Sequence, residues 1–155
     1  MAPRTHVYRA TTVWSGNRGS GTSGYWAYGR EHEICAPDKA TVIAGSATPL
    51  YRGDKTRYNP EELLVASLSA CHMLWFLHLC AESGRAVQSY RDEASGTMQL
   101  NADGSGQFSQ VVLHPLVTFT EQPSAEEAAQ LHKRAHALCF IARSGNFPVL
   151  CEPAS

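Results

Sequence analysis

NPEELLVASLSACH, residues 59–72, decides how the rest of the chain is read. Asn59 suits a helix N-cap and Pro60 the first helical position. Glu62 stands three residues after the cap, the spacing of a capping box. Glu61 and Glu62 also face the positive end of the helix dipole. Good helix formers continue to Glu82, and Gly84 is placed to stop the helix. From Leu63 to Leu79 the segment is apolar over most of its circumference. That pattern predicts a helix buried on several sides, inside the domain or in a subunit interface. Cys71 stands well inside it, a thiol among small and apolar residues.

Upstream, HVYRATTVW (6–14) is β-rich and partly alternating and predicts a first strand. GNRGSGTSG (16–24) is a loop by composition. YWAYGREHEICA (25–36) predicts a returning hairpin strand, and TVIAGSA (41–47) a third. TPLYRGDKTRY (48–58) combines proline, glycine and charge and leads into the helix as a loop. Downstream, residues 86–101 and 106–121 predict two long strands separated by the turn NADGSG. SAEEAAQLHKRAHALCFIARSG (124–145) predicts a second helix, with Ser124 and Glu127 at capping-box spacing and Gly145 as its end. FPVLCEP (147–153) closes as a short strand. The order is β-β-β-α-β-β-α-β. Strands and helices are segregated rather than alternating, which predicts an α+β fold with a largely antiparallel sheet. Without a repeat, low-complexity tract or linker, residues 1–155 are read as a single domain.

Composition narrows the function classes. With 155 residues, 43% hydrophobic and 17% charged, the chain can bury a real core. Thirteen basic side chains nearly balance fourteen acidic ones, so charge gives no case for nucleic acid or an anionic membrane. The apolar run from Cys71 to Cys80 is interrupted by His72 and His78 and falls short of the ~20 residues of a spanning helix. MAPRTHVYRATTVW lacks the apolar segment of a secretory signal. The five cysteines, at 35, 71, 80, 139 and 151, are odd in number and have no framework spacing. They predict free thiols, or one functional pair, in a reducing cytoplasm.

NPEELLVASLSACH around Cys71 and HKRAHALCFIARSGNFPV (132–149) around Cys139 resemble the two cysteine segments of the OsmC/Ohr family of thiol peroxidases, on its OsmC-like side. The order of elements extends the resemblance over most of the chain. It implies an OsmC/Ohr-like fold with two central cysteine-bearing helices and an intertwined homodimer with active sites at the interface. It implies reduction of organic hydroperoxides to alcohols, as oxidative stress defence, with no metal, haem or flavin cofactor. Cys71 matches the peroxidatic cysteine, and Cys139 the resolving cysteine that closes a disulfide. Glu61 matches a glutamate that orients an arginine onto the thiolate. That arginine is Arg52 or Arg18, with Arg57 a weaker candidate; Arg52 is favoured because OsmC-like members carry it shortly before Asn-Pro. The implied reductant is a dithiol, of lipoyl type in the Ohr branch and open for the OsmC-like branch.

The chemistry explains why those residue types belong together. A free thiol, with a pKa near ~8.5, needs a neighbouring cation to become a thiolate at neutral pH. Arginine stays charged, and a carboxylate can fix its planar fork. A second thiol converts a vulnerable sulfenic acid into a disulfide before further oxidation. Glu61 and Cys71 are ten residues apart, ~15 Å along a straight helix. Either the helix breaks between them or Glu61 serves a site across a subunit interface.

Blander readings accompany each residue. Glu61 and Glu62 could be dipole partners only, and the arginines solvated loop charges. His132 and His136, at i,i+4 with Cys139 one turn on, outline a metal site. The simpler reading is a half-exposed helix face with two ordinary histidines. His72 and His78 read as core or interface histidines, Trp14, Trp26 and Trp75 as packing aromatics, and Cys35, Cys80 and Cys151 as structural. Two other function classes remain: a metal-binding protein using Cys71, Cys139 and His136, and a module binding an apolar ligand on the same fold.

Overall fold

The computed structural model describes residues 3–154. The chain divides into two compact units, one ending at Leu63 and the other starting at Leu64.

The N-terminal unit holds an antiparallel three-stranded sheet of β1 (Thr11–Trp14), β2 (His32–Cys35) and β3 (Ile43–Gly45), in that order. All three strands are shorter than the sequence predicts. Residues 25–31 do not pair as strand because the chain there wraps around Arg30. Its guanidinium donates to the carbonyls of Tyr28 (2.6 Å) and Tyr25 (3.0 Å) and lies against both tyrosine rings. A short 3-10 turn, Pro49–Tyr51, interrupts the loop that follows β3.

Helix α1 runs unbroken from Pro60 to Glu82. The expected capping box is present. The Glu62 amide donates to Asn59 Oδ1 at 2.8 Å, and the Asn59 amide donates to Glu62 Oε2 at 3.1 Å. Gly84, at φ +69, takes the left-handed conformation that ends the helix, and the next amide, of Arg85, reaches back to the Cys80 carbonyl at 2.8 Å. Its buried seam is Leu68, His72, Phe76, Leu79 and Cys80, spaced as one helical face. The remaining apolar residues are not all covered within this chain, and Leu74 is 63% exposed. By length and composition alone α1 could cross a membrane. That differs from the sequence reading, and the buried seam is what ties the helix to this chain's own core.

The C-terminal unit contains more strands than predicted. The stretch 86–101 is two strands, β4 (Val87–Asp92) and β5 (Ser95–Leu100), and 106–121 is β6 (Gly106–Leu113) and β7 (Pro115–Phe119). β4 pairs with β7, and β5 with β6, both antiparallel. The chain therefore passes from one sheet to another at both breaks. Asp92 holds them in step: its Oδ1 accepts the His114 amide at 2.7 Å and its Oδ2 accepts the Ser69 hydroxyl. β8 (Val149–Cys151) joins β6 in parallel, the one departure from an antiparallel arrangement among the described strands.

The predicted second helix is also two. α2 spans Ala125–Leu138 and α3 spans Phe140–Ser144. Ser124 caps α2, accepting from the Glu127 amide at 3.2 Å. Cys139 is the break, with extended backbone (φ −66, ψ 109), and its sulfur accepts the Ala142 amide at 3.5 Å. Two apolar clusters form the unit's core. Leu68, Phe108, Val111, Leu113 and Val149 make one, and Phe76, Leu79, Cys80, Leu131 and Ala135 the other. His72 lies on the α1 seam one turn from Leu68 and one turn from Phe76, so helix geometry alone draws it inward.

Candidate functional site

In the C-terminal unit Cys71 and Cys139 come together. Cys71 is half-buried on α1, one position off the buried seam; Cys139 is 1% exposed at the α2–α3 junction. The two thiols are close enough for the Cys71 sulfur to act on the Cys139 thiol, and both are free. Burial raises the Cys139 thiol well above its ordinary pKa, with the Ala142 amide pulling the other way and the Cys71 sulfur adding to the rise. Cys139 is therefore held as a thiol. The break in the helix serves this arrangement, because the sulfur that caps α3 is the one that faces Cys71. Apolar groups flank the pair. Trp75, one turn beyond Cys71, meets Phe140, the neighbour of Cys139, edge to face at 5.5 Å.

The N-terminal unit carries the other residues singled out in the sequence. A cavity of about 270 Å³ is lined by Arg30, His32, Ser46, Tyr51 and Glu61, among others. One carboxylate oxygen of Glu61, Oε2, is buried without a hydrogen-bond partner. Such an oxygen is costly to leave unsatisfied and is disposed to accept from an incoming donor. Ser46 is fully buried, and its hydroxyl accepts the Asp54 amide at 3.0 Å. His32 crosses the face of Gly45, where an added Cβ would lie 2.3 Å from the ring Nε2. Only glycine fits at position 45 with the ring so placed.

The arginine candidates differ in their surroundings. Arg18 pairs with Glu31 at 3.8 Å and Arg57 with Asp54 at 4.0 Å. Arg52 has no carboxylate partner among the described residues. Its backbone is left-handed (φ 64) and its guanidinium lies 3.5 Å above the centre of the Trp26 ring. It follows Tyr51, which lines the cavity. Arg30, His32 and Ser46 were not singled out from the sequence. Arg30 sits in YGREHEIC with the look of a strand charge, and only the turn around it reveals its place. Because α1 is continuous, the alternative of a helix break between Glu61 and Cys71 drops out.

The histidines are arranged otherwise than expected. His136 is exposed, whereas His132 is buried at 7% exposure, so α2 does not present a face of two ordinary histidines. The partners of His132 are His72 on α1 and Cys151 on β8. Cys151 is therefore part of a polar cluster, not an isolated structural thiol. Burial lowers both imidazoles to about 4, the positive field of His136 adding to the effect at His72 and that of His72 at His132. Burial, with the charge of Asp92, raises the Cys151 thiol to about 11. At neutral pH all three groups are uncharged. His78 lies in solvent beside Glu82 at 3.3 Å.

The comparisons agree with this fold. The profile of the OsmC family, described as OsmC-like protein, matches residues 53–151. An OsmC-like protein of unknown function from Vibrio cholerae O1 biovar eltor superposes with a TM-score of 0.88 at 32% identity, covering 97% of this chain and 100% of its own. An organic hydroperoxide resistance protein from Elizabethkingia anophelis superposes with a TM-score of 0.74 at 18% identity, covering 99% of each chain. The organic hydroperoxide resistance protein OhrB of Bacillus subtilis gives 0.67 at 20% identity, with 96% of this chain and 98% of that one covered. No curated protein sequence matches. A profile that takes in both β-sheets of the C-terminal unit and both cysteine segments, and a relative 32% identical along nearly the whole length, place the chain in the OsmC-like protein family.

Proposed function

We propose that the chain is a two-cysteine peroxidase that reduces organic hydroperoxides to alcohols. The Cys71 thiolate attacks the terminal peroxide oxygen and the O–O bond breaks. The alkoxide leaves as an alcohol after taking up a proton, and Cys71 becomes a sulfenic acid. The Cys139 thiol then attacks that sulfur, water leaves, and a disulfide joins the two residues. An external dithiol returns both to thiols and is itself oxidised to a disulfide. The observation that carries the reading is the proximity of a half-buried Cys71 to a buried Cys139, close enough for one sulfur to act on the other. Peroxide reaches the first sulfur, and the second is shielded until the sulfenic acid forms.

Activation of Cys71 is assigned to Glu61 and Arg52. Glu61 offers an unpartnered buried carboxylate oxygen, and Arg52 a guanidinium with no carboxylate partner among the described residues. Arg18 and Arg57 each have an acidic partner already. With α1 unbroken, the Glu61 end serves the thiolate of a second copy, so the working unit is a homodimer. The exposed apolar residues of α1, Leu74 among them, suit that assembly. A reducing cytoplasm is the compartment that keeps five free thiols ready for the cycle.

The test is made on the reduced protein with one equivalent of cumene hydroperoxide, followed by mass spectrometry of each cysteine. A Cys71–Cys139 disulfide is expected, absent in Cys71→Ser and replaced by over-oxidised Cys71 in Cys139→Ser. Five unmodified thiols would overturn the reading and leave a module that binds an apolar ligand.

A further inference from the structure

Three elements far apart in sequence bring nitrogen and sulfur donors to one point in the C-terminal unit. His72 Nε2 lies 3.1 Å from His132 Nδ1, and Cys151 Sγ lies 3.7 Å from each of them. We propose that the buried His72 and His132 and the half-buried Cys151 form a three-ligand site for a thiophilic divalent cation, zinc above all.

The triangle has the dimensions of such a site. Zinc binds imidazole nitrogen at about 2.0–2.1 Å and thiolate sulfur at about 2.3 Å, so tetrahedral angles separate two nitrogens by about 3.3 Å and nitrogen from sulfur by about 3.6 Å. The observed edges differ from these by a few tenths of an ångström. The two rings are nearly coplanar, 7° apart with centroids 5.4 Å from each other, and meet nitrogen to nitrogen. Without a cation one N–H bridges them; the cation takes that proton's place to one side of the N–N line, and a turn of roughly 35° by each ring aims both lone pairs at it. Three protein donors leave a fourth position for water or another small ligand.

The surroundings favour a positive ion. Asp92 is close enough to act electrostatically on both His72 and Cys151. Phe76 stacks on His132 at 4.1 Å and holds its ring. An apolar residue at position 72 would complete the seam of Leu68 and Phe76 at no polar cost. A buried imidazole there instead, with its Nδ1 lacking any partner, is expensive to the fold unless it is used. Binding involves no oxidation. Cys151 changes from thiol to metal thiolate and releases one proton, and the bridging proton moves to an outer imidazole nitrogen.

The inference stands apart from the peroxidase reading, since it uses a different sulfur. The experiment titrates the reduced, metal-free full chain with Co²⁺, whose thiolate and four-coordinate bands are visible. About one Co²⁺ per chain is expected, with a sulfur-to-cobalt charge-transfer band that Zn²⁺ abolishes. Cys151→Ser should remove that band while circular dichroism shows the fold intact, and His132→Gln should weaken binding by at least about 100-fold, more than the loss of a residue that only orients a ligand. Cys71→Ser and Cys139→Ser should keep the band. Absence of the band in the unaltered protein would overturn the proposal. So would a band that survives in Cys151→Ser and disappears in Cys71→Ser, which would assign the cation to the redox pair.

Discussion

Cys71 and His72 are consecutive residues that enter unlike surroundings. His72 is on the buried seam of α1 and meets His132 and Cys151; Cys71, about 100° around the helix, is half-buried and meets Cys139. Both clusters draw on α1 and the α2–α3 segment, with β8 adding Cys151 to one, and both contain a cysteine whose proton burial holds on. What separates them is the groups they bring together. A half-buried thiol beside a buried one is the proposed redox couple, whereas two buried imidazoles beside a half-buried thiol are the proposed ligand set. Helix rotation by one residue selects between the two chemistries.

The sharpest way to break this comparison is to remove the sulfur at position 71. Cys71→Ser is expected to abolish peroxide-dependent consumption of reductant, whereas Cys35→Ser, on β2 of the N-terminal unit, is expected to retain it. Equal loss in both would dissolve the distinction. Next in size is the cation. Arg52→Ala should slow oxidation of Cys71 about 10²-fold, the scale for removing one preorganised charge-stabilising donor. Stopped-flow thiol oxidation would read it. Arg18→Ala should change the same rate less than about twofold, because Arg18 is exposed and paired with Glu31. If the two results are reversed, the activating arginine is Arg18. Glu61→Gln should cost about tenfold in the same assay, the value of one hydrogen bond to a charged group at about 1.5 kcal/mol. A rate unchanged in Glu61→Gln would leave the buried carboxylate as a helix-dipole partner only.

Residues 59–62 announced α1 because a capping box is a local device, complete within four residues. Cys71 and Cys139 were legible through their flanking segments. The divided strands were not. The switch between sheets depends on the Asp92 carboxylate taking the amide of His114, 22 residues away, and no local pattern encodes it. The break at Cys139 was hidden for the same reason: LCFIARSG has no glycine or proline before its end, and the stop is made by a sulfur capping the next turn. His72, His132 and Cys151 are 60 and 19 residues apart, so the spacing of His132, His136 and Cys139 on one helix gave no sign that His132 meets His72 and Cys151. The cavity with Glu61 needed Arg30, whose position follows from a wrapped turn that alternation of residue types does not reveal.

Arg52 offers the finest test, because it has a structural role and a proposed chemical one at the same residue. Its left-handed backbone is strained for any side chain with a Cβ, and its guanidinium stacks on Trp26. Arg52→Ala loses the stacking, worth about 0.5–1 kcal/mol at an exposed site, and keeps the strain. Arg52→Gly loses the same stacking but relieves about 1 kcal/mol of backbone strain. Thermal unfolding should therefore place the glycine variant above the alanine variant by about 2–4 °C and close to the unaltered protein. Both should oxidise Cys71 equally slowly. Equal rates with unequal stabilities would make the loss chemical, since a fold restored by glycine would not restore the thiolate. A glycine variant that recovers the rate as well as the stability would show instead that Arg52 acts only through the turn it occupies.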